Sequence, residues 1–184
     1  MLLKGHLYLV GFSGSGKSTV GKKLAARLKC RFVDIDDEIV RAAGMSIPEL
    51  FRTKGERTFR SLEAANILSL AKEHGPTVVA LGGGALGSPA VRKQVLTEDA
   101  VTVYLRCATR ELYRRLRDYF DRPLLEVKPK PGEALKQVKL RKIETLLRLR
   151  ERYYREASMT VSTTNHTPVQ VVREIVLKLK KGQA

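Results

Sequence analysis

The sequence predicts an α/β fold in which a five-stranded parallel sheet carries helices on both faces. Three observations point there. Five short apolar runs, at residues 6–10, 31–35, 77–81, 100–105 and 159–162, alternate with helical patterns along all 184 residues. Strands and helices in strict alternation belong to parallel sheets, because a crossover helix must return the chain to the same edge. The run at 77–81 is continuous rather than alternating, which suits a central strand covered on both faces. The first run leads directly into Gly11-Phe12-Ser13-Gly14-Ser15-Gly16-Lys17-Ser18, and an amphipathic stretch follows at 19–28. Gly, four residues, then Gly-Lys-Ser between a strand and a helix is the spacing of a P-loop.

The chemistry of that loop follows from its residue types. Its glycines let successive N–H groups converge on phosphate oxygens. The helix behind it adds a positive N-terminal end. Lys17 reaches the terminal phosphates of a nucleotide, and the Ser18 hydroxyl is placed for Mg²⁺. Gly14, Ser15, Gly16, Lys17, Ser18 and Thr19 are the nucleotide-binding candidates of this segment.

The remaining elements follow in order. A helix is predicted over 17–29 and a second over 37–43, which Gly44 stops. Ser46 is an N-cap for a short helix beginning near Pro48. A long helix is predicted over 56–74, with Phe59, Leu62, Ala65, Leu68 and Leu70 among its apolar positions and Gly75-Pro76 as its stop. Ser88-Pro89 opens a helix that ends near Leu96, and another covers 109–116. Residues 117–131 carry Pro123, Pro129 and Pro131 among many charges and read as a loop, with 126–132 its most mobile part. A long basic helix is predicted over 133–156, and Thr167-Pro168 opens the last one.

Composition narrows the class. With 43% apolar residues the chain is globular rather than disordered. No apolar run approaches the roughly 20 residues of a membrane helix. The short apolar start, with a single Lys, runs into the first strand and reads as part of the fold rather than a leader. Cys30 and Cys107 have no metal-ligand spacing and read as buried thiols rather than a disulfide, which fits a reducing compartment. The formal net charge of +16 invites a nucleic-acid reading. However, residues 106–155 hold 16 of the 35 Lys and Arg, so about half of the excess falls where the chain would close over a nucleotide.

Four further features carry candidate chemistry. Asp34 and Asp36 end the second strand, where side-chain alternation puts both on one face at the ligand-bearing edge of the sheet. One such carboxylate can help hold hydrated Mg²⁺ and the other can accept a hydroxyl proton, while Asp37 points away and caps the next helix. Gly82-Gly83-Gly84 follows the third strand and lets a small ligand rest against bare backbone. Arg60 and Glu63 lie three apart on one helix, and an Arg held by a carboxylate makes a rigid clamp for a substrate carboxylate. Arg122 sits in the loop at 117–131, and Pro123 behind it fixes where it points.

These residues resemble the shikimate kinase family, within the nucleoside-monophosphate-kinase-like P-loop folds. The resemblance runs along nearly the whole chain. It rests on Gly14-Ser15-Gly16-Lys17-Ser18-Thr19, on Asp34-x-Asp36, and on Gly55-Glu56 leading into Phe59-Arg60-x-x-Glu63. It continues through Gly82-Gly83-Gly84-Ala85, Arg122-Pro123-Leu124-Leu125, and Arg150 four residues before Tyr154. Many kinases share the P-loop; the triple glycine, Phe-Arg-x-x-Glu and Arg-Pro-Leu-Leu in this order are far more specific.

The resemblance implies a three-layer P-loop NTPase fold with sheet order 2-3-1-4-5, a single domain over 1–184 and a mobile lid at about 117–135. The implied activity is ATP-dependent phosphorylation of the 3-hydroxyl of shikimate to shikimate 3-phosphate, in chorismate and aromatic amino-acid biosynthesis. ATP and Mg²⁺ are the implied co-substrate and metal, and a cytoplasmic monomer without nucleic-acid or membrane partners is the implied setting. Carried over by position, Asp36, Arg60, Gly82, Gly83, Gly84 and Arg150 bind shikimate. Arg60 and Arg150 take its carboxylate, Asp36 takes a ring hydroxyl, and Glu63 orients Arg60. Lys17 and Arg122 stabilise the transferring phosphoryl group, Ser18 and Asp34 serve Mg²⁺, and Arg115 and Pro168 flank adenine. The chain departs from compact members between Arg122 and Arg150, where it is longer by about one or two helical turns. Arg148 and Arg152 therefore compete for the role of Arg150, and the segment from Asn165 to Pro168 is one residue short. Two other readings remain open from sequence alone. One is a kinase for another small hydroxy acid such as gluconate; the other is a nucleotide-dependent RNA-binding or regulatory protein.

Overall fold

The computed structural model describes residues 3, 5–97, 100–117 and 123–181. The elements are β1 (Leu7–Val10), α1 (Lys17–Leu28), β2 (Arg31–Asp34), α2 (Ile35–Ala43), α3 (Ile47–Leu70), β3 (Thr77–Ala80), α4 (Pro89–Val95), β4 (Val101–Arg106), α5 (Thr109–Leu116), α6 (Leu135–Tyr154), β5 (Met159–Ser162) and α7 (Pro168–Lys181), with 3-10 turns at Ala85–Gly87 and Pro123–Leu125. All strand pairs are parallel, in the order β2-β3-β1-β4-β5. This is the order the family resemblance implies.

Alternation along each strand divides the core in two. Leu7 and Leu9 of β1 face α1 and α7, where they meet Val20, Leu24 and Ile175. Tyr8 and Val10 face the other way, into Ile39, Ile67, Val91 and Tyr154 from α2, α3, α4 and the end of α6. Each fully buried Leu, Ile or Val contributes about 1.5–3 kcal/mol relative to exposure, so the two faces fix the register strongly. A third cluster, Phe12, Cys107, Leu112, Leu116 and Ile143, seats α5 and α6 above the sheet. Ala80 pairs with Leu9 on one side and with Asp34 on the other, so β1, β2 and β3 end level with one another. The loops that follow them open along one edge. Cys30 and Cys107 are free thiols, Cys107 buried as expected but Cys30 only half-buried, and among the described residues no helix is long and apolar enough to cross a membrane.

Several boundaries differ from the sequence expectation, among them the end of α3, which stops at Leu70 rather than His74. The second strand stops at Asp34 and α2 begins at Ile35, so Asp34 and Asp36 are not strand neighbours on one face. Asp34, not Asp37, caps α2: its side chain accepts from the Asp36 N–H at 3.1 Å. Ile35 and Ile39, one helical turn apart, are both fully buried, and that spacing pulls the helix start forward. The two helices expected on either side of residue 55 are both present: they meet within α3 at a kink at Gly55, which takes the non-helical φ 78°, ψ 168°. Ser46 caps α3 as expected, accepting from Glu49 N–H. The basic helix α6 is shorter than 133–156 by two residues at each end.

Candidate active site

The P-loop joins β1 to α1. Gly16, the residue before α1, sits at φ 96°, a left-handed conformation that frees its neighbours' N–H groups to face the cleft. Lys17 folds back over the loop and donates to the carbonyls of Gly11 at 2.8 Å and Phe12 at 3.0 Å. Ser18 donates to Asp34 Oδ2 at 2.5 Å, while Asp34 Oδ1 is the oxygen that caps α2. Burial pushes the Asp34 carboxyl above the ordinary carboxylate range; the Ser18 hydrogen bond opposes the shift, and Asp36 and Asp37 add to it.

A cleft of about 840 Å³ opens over this loop. Gly14, Ser15, Gly16, Lys17, Ser18 and Thr19 all line it, together with Asp34 from the end of β2 and Asp36 from the start of α2. Its far wall is Arg115 of α5 and the segment from Asn165 to Pro168. Arg115 is held in three directions: to Glu111 at 2.8 Å, to the Gly14 carbonyl at 3.2 Å and to the Thr163 carbonyl at 2.8 Å. It therefore ties α5, the P-loop and the β5–α7 connection into one rim.

A second cavity of about 50 Å³ adjoins the cleft. Asp36, Ser13 and Gly83 border both, so the two meet at the Asp36 carboxylate. Arg60, Glu63, Gly82, Gly84 and Arg150 complete its polar wall, and Phe12, Ile47, Phe51 and Phe59 its apolar one. Arg60 bonds Glu63 at 2.6 Å and Glu56 at 3.3 Å, and its guanidinium lies 5.1 Å from the centroid of the Phe59 ring. Glu63 is 2% exposed. Burial pushes its carboxyl above the usual range, and the Arg60 charge holds that shift back. Its second oxygen, Oε1, has no hydrogen-bond partner among the described residues.

The triple glycine is required by crowding rather than by backbone angle. A Cβ on Gly82 would come within 1.9 Å of Glu63 Oε1, and one on Gly84 within 2.6 Å of the Arg60 guanidinium. None of the three takes a positive φ. The bare backbone thus admits the Arg60–Glu63 pair first, and a ligand only beside it.

Of the three candidate arginines on α6, Arg150 borders this cavity; neither Arg148 nor Arg152 does. Arg148 is exposed. Arg152 is engaged with Tyr153, donating to its hydroxyl at 2.7 Å. Arg150 instead lies over the Phe12 ring, 5.5 Å from its centroid. Arg122 falls outside the described residues; Pro123, Leu124 and Leu125 behind it line the same cavity. Sequence reasoning missed the apolar wall. The available signals were a large aromatic inside the P-loop, at Phe12, and the placement of Phe59 beside Arg60.

A family model described as shikimate kinase matches residues 13–180. A shikimate kinase of Nitrobacter winogradskyi is 43% identical over 170 residues, 92% of this chain and 74% of that protein. One of Sulfurihydrogenibium is 39% identical over 176 residues, 96% of this chain and 98% of the relative. Among solved structures, shikimate kinase from Acinetobacter baumannii in complex with shikimate superposes with a TM-score of 0.86 at 30% identity, covering 97% of this chain and 94% of the other. The P-loop cleft, the arginine-walled cavity beside it and these matches lead to one conclusion: the chain belongs to the shikimate kinase family.

Proposed function

We propose that the protein transfers the terminal phosphoryl group of ATP to the 3-hydroxyl of shikimate, and that the 840 Å³ cleft takes the nucleotide and the smaller cavity the acid. One observation carries this reading: Asp36 stands where the two cavities meet, and Arg60 and Arg150 line the smaller of them. A compact acid with its carboxylate on the two arginines presents a hydroxyl to Asp36, facing the phosphates.

Each residue then has a defined task. Arg60, pre-oriented by Glu63, and Arg150, stacked on Phe12, take the carboxylate with planar, bidentate donors. Gly82, Gly83 and Gly84 let the ring approach the backbone. Asp36 orients the attacking hydroxyl and takes its proton. Lys17 and Arg122 stabilise charge on the transferring group, where positioning and electrostatics supply most of the acceleration. The backbone of Gly14, Ser15 and Gly16 cradles the phosphates, with Thr19 beside them, and Arg115 and Pro168 flank the base. The segment at about 117–135 closes as a lid that keeps water from the phosphoryl group.

The donor set fits Mg²⁺. Ser18 and Asp34 offer oxygen ligands only, and this ion is held through one or two protein oxygens plus substrate phosphates. When bound, it neutralises phosphate charge. We place the protein in the cytoplasm as a monomer acting on this small molecule rather than on nucleic acid. An ADP-release assay tests the reading: turnover is expected to require ATP, Mg²⁺ and shikimate together. Turnover with gluconate and none with shikimate would overturn it.

A further inference from the structure

The last turn of α6 is fastened to the segment that follows β3 by two adjacent tyrosines. Tyr154 is 1% exposed, yet its hydroxyl reaches out of the core and donates to the Gly83 carbonyl. Its ring packs on Tyr104 of β4 at 5.2 Å between centroids, so the donor is anchored to the sheet. Tyr153 points to the other side of the same segment. There Arg92 of α4 lies 4.3 Å over its ring and donates to the carbonyls of Leu86 at 2.6 Å and Gly87 at 3.1 Å. Arg152 contacts the same ring at 4.6 Å. Gly83, Leu86 and Gly87 are thus all held, directly or through Arg92, by two consecutive residues of α6.

Arg150 rides on this helix one turn before Tyr154, on the same face. Together with Arg60, Gly83, Gly84, Tyr153 and Tyr154 it lines a side cavity of about 390 Å³ behind the substrate pocket. Nothing about packing alone requires a buried tyrosine at 154: a phenylalanine would fill the space against Tyr104. The hydroxyl is needed because the Gly83 carbonyl turns toward the helix, where it is part-buried and costly to leave unpaired. Burial pushes the Tyr154 phenol well above its ordinary range, against the opposing charge of Arg150, so it stays a donor across the working pH range.

We propose that Tyr154 is a positioning residue for substrate binding. Its hydroxyl bond to Gly83 sets the spacing between the glycine backbone and the Arg150 guanidinium, and the Arg92–Tyr153 stack steadies the same junction. This rests on the shikimate reading above, in which Arg150 and Gly83 both meet the acid.

The test is steady-state kinetics on Tyr154→Phe with each substrate varied separately. The Phe variant keeps the ring and loses one hydrogen bond. The shikimate KM should rise about three- to tenfold, the range a single net hydrogen bond commands. ATP KM should stay within twofold. On an Arg150→Lys background the same change should have a smaller effect, because the group it positions has been altered. A shikimate KM unchanged in Tyr154→Phe overturns the proposal, and so does an equal rise in both KM values, which marks general loosening. If Tyr154→Phe fails to fold, Tyr153→Leu and Arg92→Gln carry the test: each should raise shikimate KM selectively, and no change in either overturns the proposal. Absence of shikimate turnover in the unmodified protein would instead refute the underlying function.

Discussion

The Ser18 hydroxyl and the Asp34 carboxylate meet at 2.5 Å across the gap between the P-loop and β2. Asp34 also caps α2 with its other oxygen, so one side chain serves the fold and, in the proposed reaction, the metal. Substitutions can separate the two. Asparagine keeps a cap and loses the charge, whereas alanine loses both. Asp34→Asn should raise the Mg²⁺ concentration for half-maximal activity at least about tenfold, with little change in thermal midpoint. Asp34→Ala should show the same activity defect and lose a further ~1 kcal/mol of stability from the missing cap. Mg²⁺ titrations of activity beside thermal melts check both.

Asp36 borders both cavities. Asp36→Asn preserves its size and removes its ability to take a proton. The turnover number should fall by about 10² to 10⁴, the usual range for a group that orients and deprotonates, with nucleotide affinity nearly unchanged. Turnover rates paired with nucleotide binding by calorimetry measure this, and a full-rate Asp36→Asn enzyme would remove Asp36 from the reaction.

Glu63 couples its contact with Arg60 to pH. Its carboxyl is raised by burial, so relative to an unfolded value of about 4.3 the folded state favours the protonated form. The sign follows from linkage: this contribution is fully present below about 4.3 and is lost as pH rises through the raised value. Glu63→Gln removes the titration. The variant should therefore gain stability relative to the unmodified protein as pH rises through that window. Its affinity should move the other way, because the ionised carboxylate is what holds Arg60 at 2.6 Å. At pH 8 shikimate KM should rise severalfold without a lower melting point. Arg60→Lys, which loses the planar fork, should raise shikimate KM above tenfold and leave ATP KM within a few fold.

Gly82 and Gly84 should fail in different ways when given a methyl group. A Cβ on Gly84 meets the end of the Arg60 side chain, which can swing aside. Gly84→Ala should raise shikimate KM about tenfold or more with a nearly normal melting point. A Cβ on Gly82 meets Glu63, which is buried and cannot move away. Gly82→Ala should cost about 1–3 kcal/mol of stability as overpacking, as well as activity. Denaturant unfolding of the two variants distinguishes them.

Residues near one another in sequence were legible from the chain itself. The P-loop, the Asp34-x-Asp36 pair, the Arg60–Glu63 pair and the five alternating strands each depend on local spacing and on which side chains can be buried. Local spacing also misled at one point. Reading 31–35 as strand put Asp34 and Asp36 on a shared face, whereas burial of both Ile35 and Ile39 starts the helix at Ile35 and makes Asp34 its cap. What the sequence could not decide was which distant segments meet. Arg148, Arg150 and Arg152 are equivalent in composition and neighbourhood, and only the seating of α6 on Phe12, Tyr104 and Gly83 turns Arg150 toward the cavity. The need for bare backbone at Gly82 and Gly84 likewise arises from Arg60 and Glu63, which a different helix brings against them. Such choices rest on packing between surfaces far apart in the chain, and no periodicity within one segment encodes them.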